Sequence, residues 1–276
     1  MDGTPHGAAI TAKGFGVRGP RGWAFHDVGI DAGPGSLVAV EGPSGSGRTC
    51  LLLTLTGRMR PSAGQATVAG LPLPGKMAAV RRISALAHVP GVAELDASLT
   101  VEEHLHERAL LQRRFGGSLR GLLRPRERAT EAQAAADAAL ESAGLGLAAL
   151  PKGGRTPVRD LGRLEALRLS VALALTGGPR LIAVDDTDLK LSDAERESAW
   201  ALLRSLAAAG TTVLAVCSQA PEDAVVVRTA PATGNAPKAE RTEEAEAEEA
   251  EKAEKAATED TAEEGAADAL AETGRA

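Results

Sequence analysis

Between the apolar run Leu37-Val38-Ala39-Val40 and the leucine-rich stretch Leu51, Leu52, Leu53 and Leu55 lies Gly42-Pro43-Ser44-Gly45-Ser46-Gly47-Arg48-Thr49. This is the spacing of a phosphate-binding loop, G-x-x-x-x-G-K-[ST], with arginine where the lysine belongs. The flanks predict a buried strand before the glycines and a helix after them, the setting in which such a loop works. Glycines let the backbone curl until its N–H groups face phosphate oxygens, and the helix N-terminus adds partial positive charge. Gly42, Pro43, Ser44, Gly45, Ser46, Gly47, Arg48, Thr49 and Cys50 are therefore the candidate nucleotide-binding residues. Thr49 is placed to hold Mg²⁺. Arg48 keeps the charge of the missing lysine, but its long planar fork does not replace a lysine inside a tight loop. It binds nucleotide with altered geometry or blocks the site.

A chain of 276 residues with 43% hydrophobic residues has enough material for a real core. Only 2% are aromatic, so that core is built from Ala, Leu and Val. Two cysteines, Cys50 and Cys217, suggest no disulfide framework and fit a reducing compartment. No apolar run approaches the roughly 20 residues needed to span a bilayer, and the polar start is not expected to be a signal peptide. A cytoplasmic protein is expected, reaching a membrane only through a partner. The net charge of −6 is unevenly spread. Of 37 acids and 31 bases, 14 and 5 fall in Lys238–Ala276, so this stretch carries −9 and the remainder +3.

Hydrophobic patterning predicts strands over Ile10–Val17, Trp23–Ile30, Leu37–Val40, Gln65–Val68, Ser84–Val89, Leu181–Val184 and Thr212–Val216. Helices are expected over Thr49–Gly57, Val101–Phe115, Ala129–Ala143, Glu165–Leu175 and Asp193–Ala208. Thr100 with Glu103 has the spacing of a capping box for the second of these. Strands alternating with helices argue a mostly parallel sheet. The helical middle reads as a separate lobe. A basic turn, Arg113, Arg114, Arg120, Arg124, Arg126 and Arg128, reads as a solvated rim. The Ala- and Glu-rich end has almost no apolar stripe to bury and is expected to be disordered.

Phosphate loop, helical middle, then an apolar strand ending in Asp185-Asp186: this order resembles the ATP-binding subunit of an ABC transporter. Framing segments carry the likeness further. Trp23-Ala24-Phe25-His26-Asp27-Val28, Leu55-Thr56-Gly57-Arg58-Met59-Arg60-Pro61-Ser62-Ala63-Gly64 and Leu99-Thr100-Val101-Glu102-Glu103-His104-Leu105 all look like family segments. The resemblance covers about residues 10–228. It implies an α/β P-loop NTPase fold of ABC type, with a mostly parallel sheet, an antiparallel β edge and a helical lobe over about 99–176. Residues 1–230 would form the ATP-binding domain and 231–276 the acidic tail. ATP and Mg²⁺ are the implied cofactors, with Asp185 beside Thr49 at the metal. The implied partners are an integral membrane transporter subunit encoded elsewhere and a second nucleotide-binding domain, in a homodimer or heterodimer. Nothing points to nucleic acid.

The family's catalytic positions are altered. The LSGGQ signature aligns with Leu161-Gly162-Arg163-Leu164-Glu165, which lacks the serine and both glycines. The Q-loop glutamine aligns with Gly91, and the switch histidine with Ser218. The glutamate that orients the attacking water aligns with Asp186, one methylene shorter, which disturbs near-attack geometry. Ser192 stands at the D-loop aspartate. The adenine-stacking aromatic aligns with Gly19, with Trp23 the nearest substitute and packing its expected role. His104 and His106, two apart on a helix, face different ways and make a poor metal pair. The expectation is a nucleotide-binding subunit with weak or absent hydrolysis, Asp186 being the candidate catalytic residue. The alternative is a non-hydrolysing nucleotide-binding or scaffolding partner of a membrane protein on the same fold.

Overall fold

The computed structural model describes residues 6–20, 22–115 and 125–230, with the side chains of 112–115 and 125–129 left outside the description. The side chains of the basic turn and the acidic tail after residue 230 fall outside it. Everything described belongs to one compact unit, Met1–Ala232.

The central sheet follows the order β6 (Ser84–Leu86), β7 (Leu181–Val184), β8 (Thr212–Cys217), β3 (Leu37–Glu41) and β9 (Val225–Arg228), with every pair parallel. β7 and β8 are buried along their full length, and β3 except at Glu41, which is why they read as unbroken apolar runs. Their side chains alternate between two cores. Leu37, Ala39, Ile182, Val184, Val213 and Ala215 face the core shared with α5 (Arg163–Leu175) and α6 (Asp193–Ala208). Val38, Val40, Leu181, Ala183, Leu214 and Val216 face the core shared with α1 (Arg48–Leu55).

The expected antiparallel edge is a sheet of its own. β1 (Ile10–Gly19) and β2 (Gly22–Ala32) form a long hairpin, and β4 (Ala63–Val68) and β5 (Leu71–Leu73) extend it in the order β2-β1-β4-β5. Phe15 and Phe25, with ring centroids 6.0 Å apart, fasten this sheet over α1. One buried side chain ties the segment before β1 to the central sheet. The Thr212 hydroxyl accepts from Ala8 N–H at 3.0 Å and Gly35 N–H at 2.9 Å, and donates to the Ala8 carbonyl at 2.9 Å.

The helical lobe is built from α3 (Val101–Phe115) and α4 (Pro125–Ser142) against α5. The α3 capping box forms as expected: Thr100 N–H donates to the Glu103 carboxylate at 2.7 Å, and Glu103 N–H to Thr100 Oγ1 at 3.2 Å. α4 starts four residues earlier than expected, at Pro125, whose fixed φ suits the first helical position. The strand expected over Ser84–Val89 is regular over Ser84–Leu86; Ala87 N–H still donates to the Ala183 carbonyl and Asp185 N–H to the His88 carbonyl, and the chain then turns where Val89 pairs with Ala93. β5, α2 (Met77–Ile83) and β9 correspond to no expected element.

Candidate nucleotide-binding site

β3 delivers the chain to the glycine-rich loop, and α1 leaves it. The loop is braced from β9. Ser46 Oγ lies 2.6 Å from Thr229 Oγ1, and Thr229 N–H donates to the Glu41 carbonyl at 2.9 Å. Gly47 sits at φ 81°, and a Cβ there would meet the Ala24 carbonyl oxygen at 2.0 Å, so β2 presses directly on the loop. The first-turn N–H groups of α1, at Arg48, Thr49 and Cys50, have no carbonyl to bond within the helix. They face the start of an anion cradle.

The loop's hydroxyl and the first carboxylate after β7 meet across the sheet. Thr49 Oγ1 donates to Asp185 Oδ2 at 2.6 Å. Asp185 is buried, 2% exposed, and its other oxygen accepts Asp186 N–H at 2.9 Å. Among the described residues no cation pairs with it. A buried carboxylate held by two neutral donors is a charge that a cation would offset. Two oxygens fixed side by side suit Mg²⁺, which keeps most of its shell as water and phosphate oxygen. ATP phosphates would lie against the loop and Mg²⁺ would be held by Thr49 and Asp185.

Asp186 has positive φ, 49°, a conformation that aspartate tolerates better than most residues. Its carboxyl is pushed above the usual aspartate range by burial and then by the Asp185 charge, with Arg48 and His88 pulling the other way. Asp188 turns from the nucleotide side and accepts Ser218 N–H at 2.8 Å and Gln219 N–H at 3.3 Å, pinning the segment after β8. Arg48 does not point at the cradle alone. Its Nη1 donates to the Cys217 carbonyl at 2.7 Å, so the guanidinium crosses from the loop to the end of β8. A cavity of about 790 Å³ opens there, bordered by Gly42, Pro43, Ser44, Arg48, Asp186 and Ser218.

The structure therefore brings together Gly42 to Thr49, Asp185, Asp186 and Ser218. Cys50 follows on α1, half-buried, its thiol pushed up by burial and by Asp185. The Cys217 thiol is pushed up to about 12, by burial first and then by Asp188 and Glu41. Burial and the neighbouring carboxylates thus disfavour the thiolate at both positions. Gly91 is not at the site: it is exposed, and its N–H donates to Glu94 Oε1 at 2.9 Å. His88 lies closer to the site: its carbonyl accepts Asp185 N–H at 2.7 Å, and it borders a cavity shared with Asp186 and Thr187. Glu165 is occupied locally, accepting Gly162 N–H at 2.8 Å as the cap of α5. Ser192 caps α6 through Glu195. Trp23 packs against His26 and lies under Arg18, 5.8 Å from its guanidinium carbon. His104 Nε2 lies 3.2 Å from the Asp96 carbonyl and Nδ1 3.9 Å from the Glu107 carboxylate, and among the described residues no group of three metal-donor side chains is found.

The family model described as ABC transporter matches residues 25–188. The hemin import ATP-binding protein HmuV of Gloeobacter violaceus is 30% identical over 207 residues, covering 75% of this chain and 72% of that protein. Nod factor export ATP-binding protein I of Burkholderia thailandensis is 32% identical over 181 residues, 66% of this chain. The chain spans about half the length of that relative, 53%. Among solved structures, a bacterial ABC transporter cassette in its dimeric form overlays with a TM-score of 0.62 at 19% identity, covering 81% of this chain and 95% of that one. The cbiO1 subunit of Clostridium perfringens, part of the ABC transporter complex cbiONQ, overlays with a TM-score of 0.60 at 16% identity, over 76% and 78% of the two chains. At these identities the overlays show the fold.

Proposed function

The chain belongs to the ABC transporter family, and on that premise we propose that it is the ATP-binding subunit of a membrane transport system, one that binds Mg²⁺-ATP weakly and turns it over little or not at all. Residues 1–230 are its nucleotide-binding domain, and about 99–176 its helical lobe. The observation that carries this reading is the 2.6 Å bond from Thr49 to Asp185, which unites the glycine loop and the β7 carboxylate in one oxygen donor pair. Bound Mg²⁺ would neutralise phosphate charge there. The chain's own groups do the rest. The loop and the α1 terminus orient the phosphates, and Asp185 and Thr49 hold the cation.

Four features support poor turnover. Asp186 offers a carboxylate one methylene shorter than the family's glutamate. Ser218 cannot take up a proton near neutral pH as a histidine can. Gly162-Arg163-Leu164 offers neither the serine nor the close glycine backbone that a partner cassette's triphosphate needs. Arg48 is already engaged by Cys217. Among the described residues no helix is long and apolar enough to cross a membrane. A membrane-spanning partner subunit, approached from the cytoplasmic side, supplies that part, and a second cassette pairs with this one.

Calorimetric titration with Mg²⁺-ATP beside a phosphate-release assay tests both halves. Binding with release at the blank is the expected result. Turnover in the usual enzyme range of roughly 1–10³ s⁻¹, abolished by Asp186→Asn, would restore an ordinary ATPase. A second reading, a scaffold that takes no nucleotide, is favoured only by the Arg48–Cys217 bond. No heat of binding at millimolar Mg²⁺-ATP would establish it.

A further inference from the structure

Beside the phosphate-loop cavity lies another of about 270 Å³, between the turn after β7 and the N-terminal half of α5. Arg163, Ala166, Leu167 and Ser170 border it at the three- and four-residue spacing of one helix face. Asp186 and Thr187 border it from the turn, and Asp186 borders the loop cavity as well. Two hydroxyls in these walls have nothing to bond. Thr187 is 1% exposed, and its Oγ1 has no partner among the described residues. Ser170 is 4% exposed, and its hydroxyl likewise bonds no described residue. A buried hydroxyl without a partner is unfavourable. Valine has threonine's shape and would fill the same space without that penalty.

The charges around the cavity are unmatched too. Asp186 forms no ion pair among the described residues, and burial and the Asp185 charge both work against its carboxylate. Arg163 is exposed and also pairs with no described carboxylate. It stands in the first turn of α5, where the helix dipole disfavours a cation, so helix stability does not account for it. Glu94, the other carboxylate at the cavity, already accepts Gly91 N–H at 2.9 Å. The apolar share of the wall is aliphatic, with Val158, Leu167 and Leu191.

We propose that this cavity binds a free aliphatic α-amino acid, its ammonium held by Asp186, Thr187 and Ser170 and its carboxylate by Arg163. The inference goes beyond the nucleotide reading and stands without it. An ammonium carries three N–H donors, and these three side chains offer three acceptors. Thr187 has no bond to give up, so rotation about χ1 is enough to present its hydroxyl to an occupant. The guanidinium fork of Arg163 suits a carboxylate, and the aliphatic wall suits a branched side chain. The volume of about 270 Å³ is some nine times the ~30 Å³ that a water molecule occupies in the liquid, which is room for a molecule of amino-acid size.

The probe is L-leucine, titrated calorimetrically into the full chain without nucleotide. Isocaproate lacks its ammonium, isoamylamine lacks its carboxylate and glycine lacks its aliphatic body. Leucine is expected to bind at least about tenfold tighter than each of them. Arg163→Gln, which gives up no side-chain bond among the described residues, should weaken leucine about tenfold and leave isoamylamine unchanged, a split that misfolding does not produce. Thr187→Val should weaken leucine and isoamylamine alike. Its urea midpoint without ligand should equal or exceed that of the wild type, because no hydrogen bond is lost. No heat at millimolar leucine, the result of a cavity that holds only water, overturns the proposal. So does equal affinity for leucine and any of the three analogues, full leucine affinity in Thr187→Val, or equal weakening of leucine and isoamylamine in Arg163→Gln. A lower urea midpoint for Thr187→Val overturns it as well, since the hydroxyl would then have a partner inside the fold.

Discussion

Gly45 and Gly47 share nearly one backbone conformation, with φ of 79° and 81°, and differ in what surrounds them. A Cβ at Gly45 would meet nothing within 4 Å, whereas one at Gly47 would lie 2.0 Å from the Ala24 carbonyl oxygen. Replacing either with alanine imposes the left-handed conformation on a residue with a Cβ, at about 1–2 kcal/mol. Both also gain about 0.4–1 kcal/mol from a less flexible unfolded chain. These contributions cancel between the two variants. What remains at Gly47 is a contact roughly 1 Å inside the closest approach that Cβ atoms show, against strand backbone that cannot rotate away. Overpacking of that kind costs about 1–3 kcal/mol. Gly47→Ala should therefore be less stable than Gly45→Ala by about that amount. Urea denaturation followed by circular dichroism reads the difference, provided the m-values agree. Equal losses in the two variants, or a greater loss at Gly45, would show that β2 does not press on the loop as described.

Three other outcomes follow from the same geometry. Thr212→Val keeps the shape but strips the side-chain partner from Gly35 N–H, while Ala8 N–H keeps the Arg180 carbonyl at 3.1 Å, so it should cost about 1–3 kcal/mol in denaturant melts. Asp186→Asn should raise the melting temperature at neutral pH. The raised carboxyl binds its proton more tightly when folded, so the wild type is relatively more stable at low pH and loses that advantage as pH rises through the folded value. The gain from Asn must accordingly shrink as pH falls towards the ordinary aspartate range, and a gain independent of pH would contradict the assignment. Arg48→Lys releases the Cys217 carbonyl and should tighten Mg²⁺-ATP by roughly tenfold, about 1.4 kcal/mol, with little effect on phosphate release.

Sequence patterning located the elements whose signals were local and strong. β7 over Leu181–Val184 and α6 over Asp193–Ala208 agree with expectation to the residue, the first wholly apolar and the second opened by the Ser192–Glu195 box. Elements that depend on tertiary pairing left little trace. β5 is Leu71-Pro72-Leu73, too short and too proline-rich to read as a strand, and it exists because β4 and α2 pack on it. β9 is a β-branched run, Val225-Val226-Val227, that becomes a strand by joining the outer edge of β3. At the site, the loop spacing and the β7 carboxylates were legible because each is contiguous. The Arg48–Cys217 bond joins residues 169 apart and has no sequence signature. His88 has no local signal either: it lies near Asp185 because the turn at Val89–Ala93 carries Gly91 to the surface, and that turn is set by pairing.

The bond from Arg48 to the Cys217 carbonyl also makes two distant properties reciprocal. An anion that recruits the guanidinium must take it from the end of β8, and so loosens the segment that Asp188 holds through Ser218 and Gln219. By linkage, anything that tightens that segment while Arg48 remains attached lowers anion affinity by the same factor. A contact made at Cys217–Gln219 would thus be felt at the phosphate loop without touching it, and the occupancy of the loop would be legible from the protection of those backbone amides against hydrogen exchange.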